Sequence, residues 1–506
     1  MLTQNEFGFD LAKDNPFVIF RHLANIAREA VGVDKVLDLS RGDPGYGFAP
    51  NVRSRKFYAF LMNLDTVLNN FETHFKDRTK DTEAELLEEI GKFTKENYAE
   101  KIAAELLADL DEFFTKVIAA AKNQGLDWGK FEVLFELFKY STVSGGCYHD
   151  PYGELLARVA IADFHSRSLG VDVKHSDLVF TNGASHAIGT FFKAFGVEGS
   201  GLLKEGDEVM ITSPVYFPYM GIMEARGLKI TCVSADPVTG QFAPDAFEKV
   251  ADSNPKVIVL VDPDNPTGLT KNEESLKQIA EFAEQKDAVI LSDEVYFSFH
   301  EGKKSVLEFA PKRTIRIDAR SKVERATGCR FGEYIITDAA NAFISEKWKE
   351  FLPEGIDVKS YLHDAKAPGG VRGEFRHTTF VPGPSQILGM CHVVLGEEER
   401  RKYTEIVNEN MQVWYEGLGI DFPNNFYYSL VDLNEIASDA KKSVPAEQKF
   451  LDLAKLGVVL IPSNLFFSKE DREAEDRKNF ARASLPNLTT EQVKEAAKRI
   501  REYLEQ

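Results

Sequence analysis

The sequence predicts an α/β fold: a large domain with a mostly parallel sheet, a smaller α+β domain and a helical insert. Three observations predict it. From about Tyr148 onward, short β-branched apolar runs alternate with helical stretches, as in "DLVFTNGAS", "KVIVLVDPDNPTG" and "AVILSDEVYFSF". Between about Asn51 and Tyr140 the chain is charged, nearly free of Gly and Pro, and apolar at spacings of three and four. From about Ser345 the rhythm is mixed and ends in the amphipathic stretch "EQVKEAAKRIREYLEQ". These shifts divide the chain into an N-terminal segment (1–50) expected to pack with the small domain, a helical insert (51–140), a large α/β domain (141–345) and a small α+β domain (346–506).

Each element has a local reason. Residues 15–33 have helical periodicity, with Asn15 as cap and Pro16 in the first turn. "VLDLSRGDPGYGFAP" reads as a short strand breaking into a Gly/Pro loop. "GDEVMITSPVYFPY" is a strand followed by an aromatic loop; "LKITCVSAD" and "TIRIDARSK" are further strands, and "HAIGTFFKAFG" and "ESLKQIAEFAEQK" are helices. The β-branched runs suit strands buried in a parallel sheet, whose ligands bind at the carboxyl ends of the strands.

Composition narrows the function. The chain has 506 residues, enough for two or three cored domains, with a net charge of −19. That charge argues against nucleic acid and anionic membranes as partners, since both attract basic surfaces. The four cysteines, Cys147, Cys232, Cys329 and Cys391, show no CxxC spacing, which argues against zinc and for a reducing compartment. No metal site is expected. No apolar run nears the roughly 20 residues of a membrane span, and the first residues carry early acids unlike a signal peptide. A cytoplasmic protein is expected.

Polar residues collect at the strand ends. Gly183, Ala184 and Ser185 precede a helix whose N-terminus favours an anion. Tyr216 follows Pro214 in an aromatic loop, where it either stacks on a flat ring or packs in the loop. Asn265 sits in the turn "DNPTG", a place where Asn is often a local hydrogen-bonder. Asp293 ends an apolar strand, and a carboxylate there needs a partner, because an unpaired buried charge is costly. Tyr296 is three residues on. "SK" at Ser321–Lys322 is followed eight residues later by Arg330, and "NFARASLP" carries Arg482, whose planar fork matches a carboxylate or phosphate.

Taken together, "DNPTG", "SDEVY" and Ser-Lys with an arginine eight residues on resemble the aminotransferase class I/II family, the fold type I pyridoxal-phosphate enzymes. The resemblance covers most of the chain outside the helical insert. It implies that Lys322 forms the Schiff base with pyridoxal 5′-phosphate (the internal aldimine) and moves the substrate proton. It implies that Asp293 keeps the ring nitrogen protonated, that Asn265 and Tyr296 meet the ring hydroxyl, and that Tyr216 stacks. The phosphate falls to Ala184, Ser185, Ser321 and Arg330, with Tyr148 reaching across a homodimer interface. Arg482 and Gly42 take the substrate carboxylate. Two departures stand out. Ala319 replaces the family's Ser or Thr, removing one phosphate hydrogen bond, and Glu324 and Arg325 follow the lysine, placing charge near the cofactor.

The insert and "LSRGDPGYGFAP", with Arg41 before Gly42, resemble the aspartate 4-decarboxylase/aspartate aminotransferase branch. Arg41 then meets a distal substrate carboxylate or, alternatively, pairs with an acid such as Asp43. The implied function is amino-group transfer from an acidic amino acid to a 2-oxo acid. The alternatives are β-decarboxylation of aspartate to alanine, and a catalytically inactive protein of this fold with a binding role.

Overall fold

The computed structural model describes residues 5–11, 13–45, 52–68, 80–139, 152–300, 302–363, 381–468 and 475–506. Twelve strands lie among them: β1 Leu37–Asp38, β2 Leu178–Thr181, β3 Glu208–Ser213, β4 Lys229–Ser234, β5 Val257–Val261, β6 Val289–Asp293, β7 Thr314–Ala319, β8 Gly332–Ile335, β9 Tyr428–Asp432, β10 Val458–Val459, β11 Ile461–Pro462 and β12 Phe480–Ser484. The fold is α/β, with a mostly parallel central sheet. The chain forms two compact units: Met1–Ala49, Leu203–Phe309 and Lys402–Gln506 in the first, Pro50–Leu202 and Ala310–Arg401 in the second.

In the first unit, β3 runs parallel to β4 and β5, and β5 parallel to β6. Every residue of β5 and β6 is buried, which is why "VIVLV" and "VILSD" show no alternation. Helix Glu273–Gln285 is capped by the Asn272 side chain, which accepts from the Ser275 amide. A second sheet pairs β12 with both β11 and β9, antiparallel. Helix Pro16–Val31 starts as its sequence predicts, with Asn15 accepting from the Phe17 amide and Pro16 in the first turn. The N-terminal segment joins this unit through β1, which pairs in parallel with β10. The amphipathic C-terminal stretch is helix Thr490–Glu505, capped by Thr489.

In the second unit, the charged region after residue 51 holds helices Val52–Val67, Lys80–Asn97, Glu100–Asn123 and Lys130–Phe138. Leu106, Leu110, Phe113, Phe114 and Val117 form the buried stripe of the third. Each fully buried large side chain of this kind stabilises the fold by about 1.5–3 kcal/mol. Strand β8 lies antiparallel to both β7 and β2. Strand β7 is buried along its whole length although its alternate residues are Arg316 and Asp318. Alternation of this kind ordinarily marks a strand with one face in water. Here the charged face is covered and met by opposite charge. Among the described residues, no helix is long and apolar enough to cross a membrane.

Candidate cofactor and substrate site

The first unit brings Arg41, Gly42, Tyr216, Asn265, Asp293, Tyr296 and Arg482 into one unit. Asp293 ends β6 at 5% exposure, and the Tyr219 hydroxyl donates to its Oδ2 at 3.2 Å. Asn265 sits in a turn organised by Asp264, which accepts from the Thr267 amide at 2.9 Å and pairs with Lys271 at 3.5 Å. The Asn265 side-chain oxygen accepts from Arg482 Nη1 at 3.3 Å.

Arg482 lies in the middle of β12, 4% exposed. Its Nη2 donates to the Ser40 carbonyl at 2.6 Å, its guanidinium lies 4.6 Å from the centre of the Tyr428 ring, and its buried Nε has no partner. Among the described residues no carboxylate pairs with it. A buried cation surrounded by neutral groups is set up to receive an anion. Strand register explains the ring contact. Ser484 pairs with Tyr428 and Arg482 with Leu430, so Tyr428 and Arg482 are diagonal neighbours on one face.

Tyr296 is buried, and its hydroxyl lies 3.0 Å from that of Tyr428. Burial, and then Tyr428, push the Tyr296 hydroxyl well above the usual phenol range. The Gly42 carbonyl accepts from Tyr427 at 3.1 Å and from Tyr428 at 3.4 Å. Tyr216 is partly buried, edge-on to Tyr219 at 6.5 Å, and burial raises its hydroxyl to about 12. Arg41 is in a two-pronged pair with Asp43, at 3.0 and 3.1 Å, with its side chain 54% exposed.

The second unit carries Ala184, Ser185, Ser321, Lys322 and Arg330. Lys322 is partly buried in the turn after β7. Backbone bonds hold this turn: Arg320 donates to Phe331, Arg325 to Lys322 and Ala326 to Arg320, at 2.9 to 3.1 Å. The Thr327 hydroxyl donates to the Ser321 carbonyl at 3.1 Å. Arg330 has φ 52° and donates to the carbonyls of Thr327 at 3.0 Å and Asn182 at 3.3 Å. Gly183, at φ +87°, precedes helix Ala184–Phe195; a Cβ there would come within 2.8 Å of Arg330 Nη2. Glycine is what lets the arginine approach the helix N-terminus, where backbone amides favour an anion. Tyr148 lies outside the described residues.

Glu324, two residues after the lysine, is 1% exposed and pairs with Arg320 Nη1 at 3.0 Å. Arg320 Nη2 also meets Glu333 at 2.7 Å and Asp318 at 3.3 Å. Burial opposes the charge of Arg320, but these three carboxylates outweigh it and raise its pKa. Burial pushes the Glu324 carboxyl up, against the pull of Arg320. His165 Nε2 lies 2.7 Å from Glu333, and its Nδ1 lies 3.5 Å from Arg316 Nη1. Arginine only donates, so Nδ1 accepts and Nε2 carries the hydrogen. That neutral form agrees with a pKa driven well below the usual value, first by burial and then by Arg316. His165, Asp318 and Glu333 have the donor types of a metal site, with ligand atoms within 4.8 Å. The guanidiniums of Arg316 and Arg320 already hold these donors and would repel a divalent cation.

Sequence reasoning missed Tyr219, Tyr427 and Tyr428. The signal was the pair "YY" entering a strand in "NNFYYSLVD"; the structure adds that Tyr427 has φ 70°, a left-handed conformation costly for an aromatic residue.

Comparison with known proteins adds the family. The family model Aminotransferase class I and II matches residues 141–500. A bifunctional aspartate aminotransferase and L-aspartate beta-decarboxylase from Pseudomonas sp is 28% identical over 349 residues, covering 62% of this chain and 64% of that protein. An aspartate aminotransferase from Pyrococcus horikoshii is 34% identical over 184 residues, 35% of this chain and 44% of that one. The chain thus spans less than two thirds of the length of these curated relatives. A solved putative aminotransferase from Silicibacter pomeroyi has the same fold, with a TM-score of 0.59, 18% identity and 99% coverage of both chains. An aspartate aminotransferase from Thermus thermophilus gives 0.56 at 22% identity, covering 74% of this chain and 87% of that one.

Proposed function

Because the chain belongs to the aminotransferase class I and II family, whose cofactor is pyridoxal 5′-phosphate, we propose that it is an aminotransferase acting on an amino acid and a 2-oxo acid, with an acidic donor favoured. The observation that carries the proposal is Arg482, a buried arginine that meets only neutral groups among the described residues. The residues fit the cofactor's chemistry. Among the described residues Arg330 is bonded to carbonyls alone, beside a glycine and a helix N-terminus, which suits a phosphate. Asp293 is a buried carboxylate oriented by Tyr219, which suits a protonated ring nitrogen.

When bound, the cofactor supplies an electron sink for the bond broken at the substrate α carbon. Lys322 would hold it covalently and would move the proton at that carbon. Asp293 would hold a proton on the ring nitrogen, Asn265 and Tyr296 would hydrogen-bond the ring hydroxyl and Tyr216 would stack on the ring. The phosphate would be held by Arg330, Ser185, Ser321 and Ala184; Tyr148 would reach it from a second subunit of a homodimer. Arg482 orients the α-carboxylate beside Gly42, with its fork fixed by Asn265, Ser40 and the Tyr428 ring. Arg41 reads a distal carboxylate only by leaving Asp43. A cytoplasmic location completes the reading.

The preference for aspartate rests on the names of the relatives, and one of those names also favours β-decarboxylation as a second reading. The test is the visible spectrum of purified protein loaded with pyridoxal phosphate, before and after aspartate. A band that aspartate bleaches, and that Lys322→Ala abolishes, is expected. Oxaloacetate as product supports transamination; alanine with carbon dioxide supports the second reading. A protein that never acquires the band has lost the site, which leaves a binding role.

A further inference from the structure

The Tyr428 hydroxyl stands where three residues with proposed roles meet. It lies 3.0 Å from the Tyr296 hydroxyl, 3.4 Å from the Gly42 carbonyl, and on the ring that carries the Arg482 guanidinium at 4.6 Å. It also accounts for the glycine. A Cβ on residue 42 would sit 2.7 Å from the Tyr428 oxygen, closer than real Cβ atoms come.

The hydrogens can be counted. Tyr428 has one to give and, among the described residues, two acceptors within reach: the Gly42 carbonyl and the Tyr296 oxygen. Tyr427 already donates to Gly42 at 3.1 Å, a shorter bond than the one from Tyr428. The Tyr428 hydrogen is therefore not needed there and can go to Tyr296. The pair then has two arrangements. In one, Tyr296 donates to Tyr428 and Tyr428 to Gly42. In the other, Tyr428 donates to Tyr296, and the Tyr296 hydrogen is given to another acceptor. The two differ by rotation of two O–H bonds, with no heavy atom displaced.

We propose that Tyr428 is a positioning residue that sets the direction of the Tyr296 hydroxyl, supplying it with a hydrogen bond when Tyr296 donates to the cofactor, and that Gly42 is small to admit it. The inference rests on the cofactor role proposed above for Tyr296. A hydroxyl that receives a hydrogen bond is a better donor, because chained bonds polarise one another. Without Tyr428, Tyr296 donates more weakly and leaves more negative charge on its acceptor to hold a nearby proton.

Tyr428→Phe is the decisive variant, since it keeps the ring under Arg482 and removes one oxygen. With pyridoxal phosphate bound, the pH midpoint of the visible band is expected to rise by roughly half a unit, the size of one modest neutral hydrogen bond. Tyr296→Phe is expected to raise it further, and adding Tyr428→Phe to Tyr296→Phe to change nothing more, because Tyr428 acts through Tyr296. An unchanged midpoint in Tyr428→Phe, or a shift that persists without the Tyr296 hydroxyl, overturns the inference while leaving the function standing. A protein with no band overturns both the function and the cofactor role of the pair. A second measurement needs no cofactor. Gly42→Ala is expected to lower the melting temperature, and Tyr428→Phe to restore most of the loss. Failure of that rescue overturns the claim that Tyr428 is why residue 42 is glycine.

Discussion

Arg320, at the end of β7, and Arg482, in β12, are both buried, at 1% and 4% exposure. Their surroundings are opposite. Arg320 touches three carboxylates, Asp318, Glu324 and Glu333. Arg482 touches an amide oxygen, a carbonyl and an aromatic face. The first is a cation whose counter-charge is built into the chain, and such a cluster fixes structure. The second is held in place by neutral groups, and among the described residues no carboxylate pairs with it. Burial alone does not separate the two; the charge of the partners does.

The comparison breaks most visibly at Arg320. Arg320→Ala removes the guanidinium that three buried carboxylates share and is expected to lower unfolding free energy by about 3–5 kcal/mol, measured by urea titration. An apolar pair, Arg320→Met with Glu324→Leu, is expected to cost less than Arg320→Ala alone. Arg482→Leu is expected to behave in the reverse manner. Folding should survive, while kcat/KM for aspartate falls by about 2–5 kcal/mol of transition-state binding, roughly thirty- to several-thousand-fold. An equal loss of stability and activity in both variants would erase the distinction.

Acid sharpens the contrast. Burial drives His363 and His392 to about 3 and His300 to about 4, and holds His165 well below its usual value. These groups are neutral when folded, and in the unfolded chain they take up protons below about 6.5. The unfolded state therefore binds more protons between about pH 6.5 and the folded values. Stability falls as pH drops through that window, by up to about 1.4 kcal/mol per pH unit for each histidine. His165, His363 and His392 belong to the second unit and His300 to the first. Hydrogen exchange at pH 5 against pH 7.5 should show the larger loss of protection in the second unit. Equal loss in both would remove the histidines as its cause.

The smallest effect is expected at Arg41. Its pair with Asp43 is exposed, so Arg41→Ala should change stability by about 1 kcal/mol or less. A selective rise in KM for aspartate over monocarboxylic amino acids would show that Arg41 leaves Asp43 for substrate. No such rise would place distal recognition elsewhere.

Much of this molecule is legible locally. Asn15 caps its helix from two residues away, and Asp264 organises the "DNPTG" turn from three. The buried runs of β5 and β6 announce themselves by the absence of polar alternation. The series "DNPTG", "SDEVY" and Ser-Lys with Arg330 carries the family. Strand β7 is buried as its run suggests, but the partners of its charges, Glu333 and His165 among them, are not written beside it in the chain. The partner of Glu324, Arg320, is likewise visible only in the structure.

What the sequence by itself determined, then, is where the elements begin and end and which family chemistry the chain carries. Hydrogen bonds across two to four residues and a period of hydrophobicity suffice for that. Only the tertiary structure decided which charge answers which. Tyr428 meets Tyr296 across 132 residues, Arg482 meets Asn265 across 217, and Arg482 meets Ser40 across 442. At such separations the partner is chosen by strand register and packing, and no local pattern in the chain encodes it.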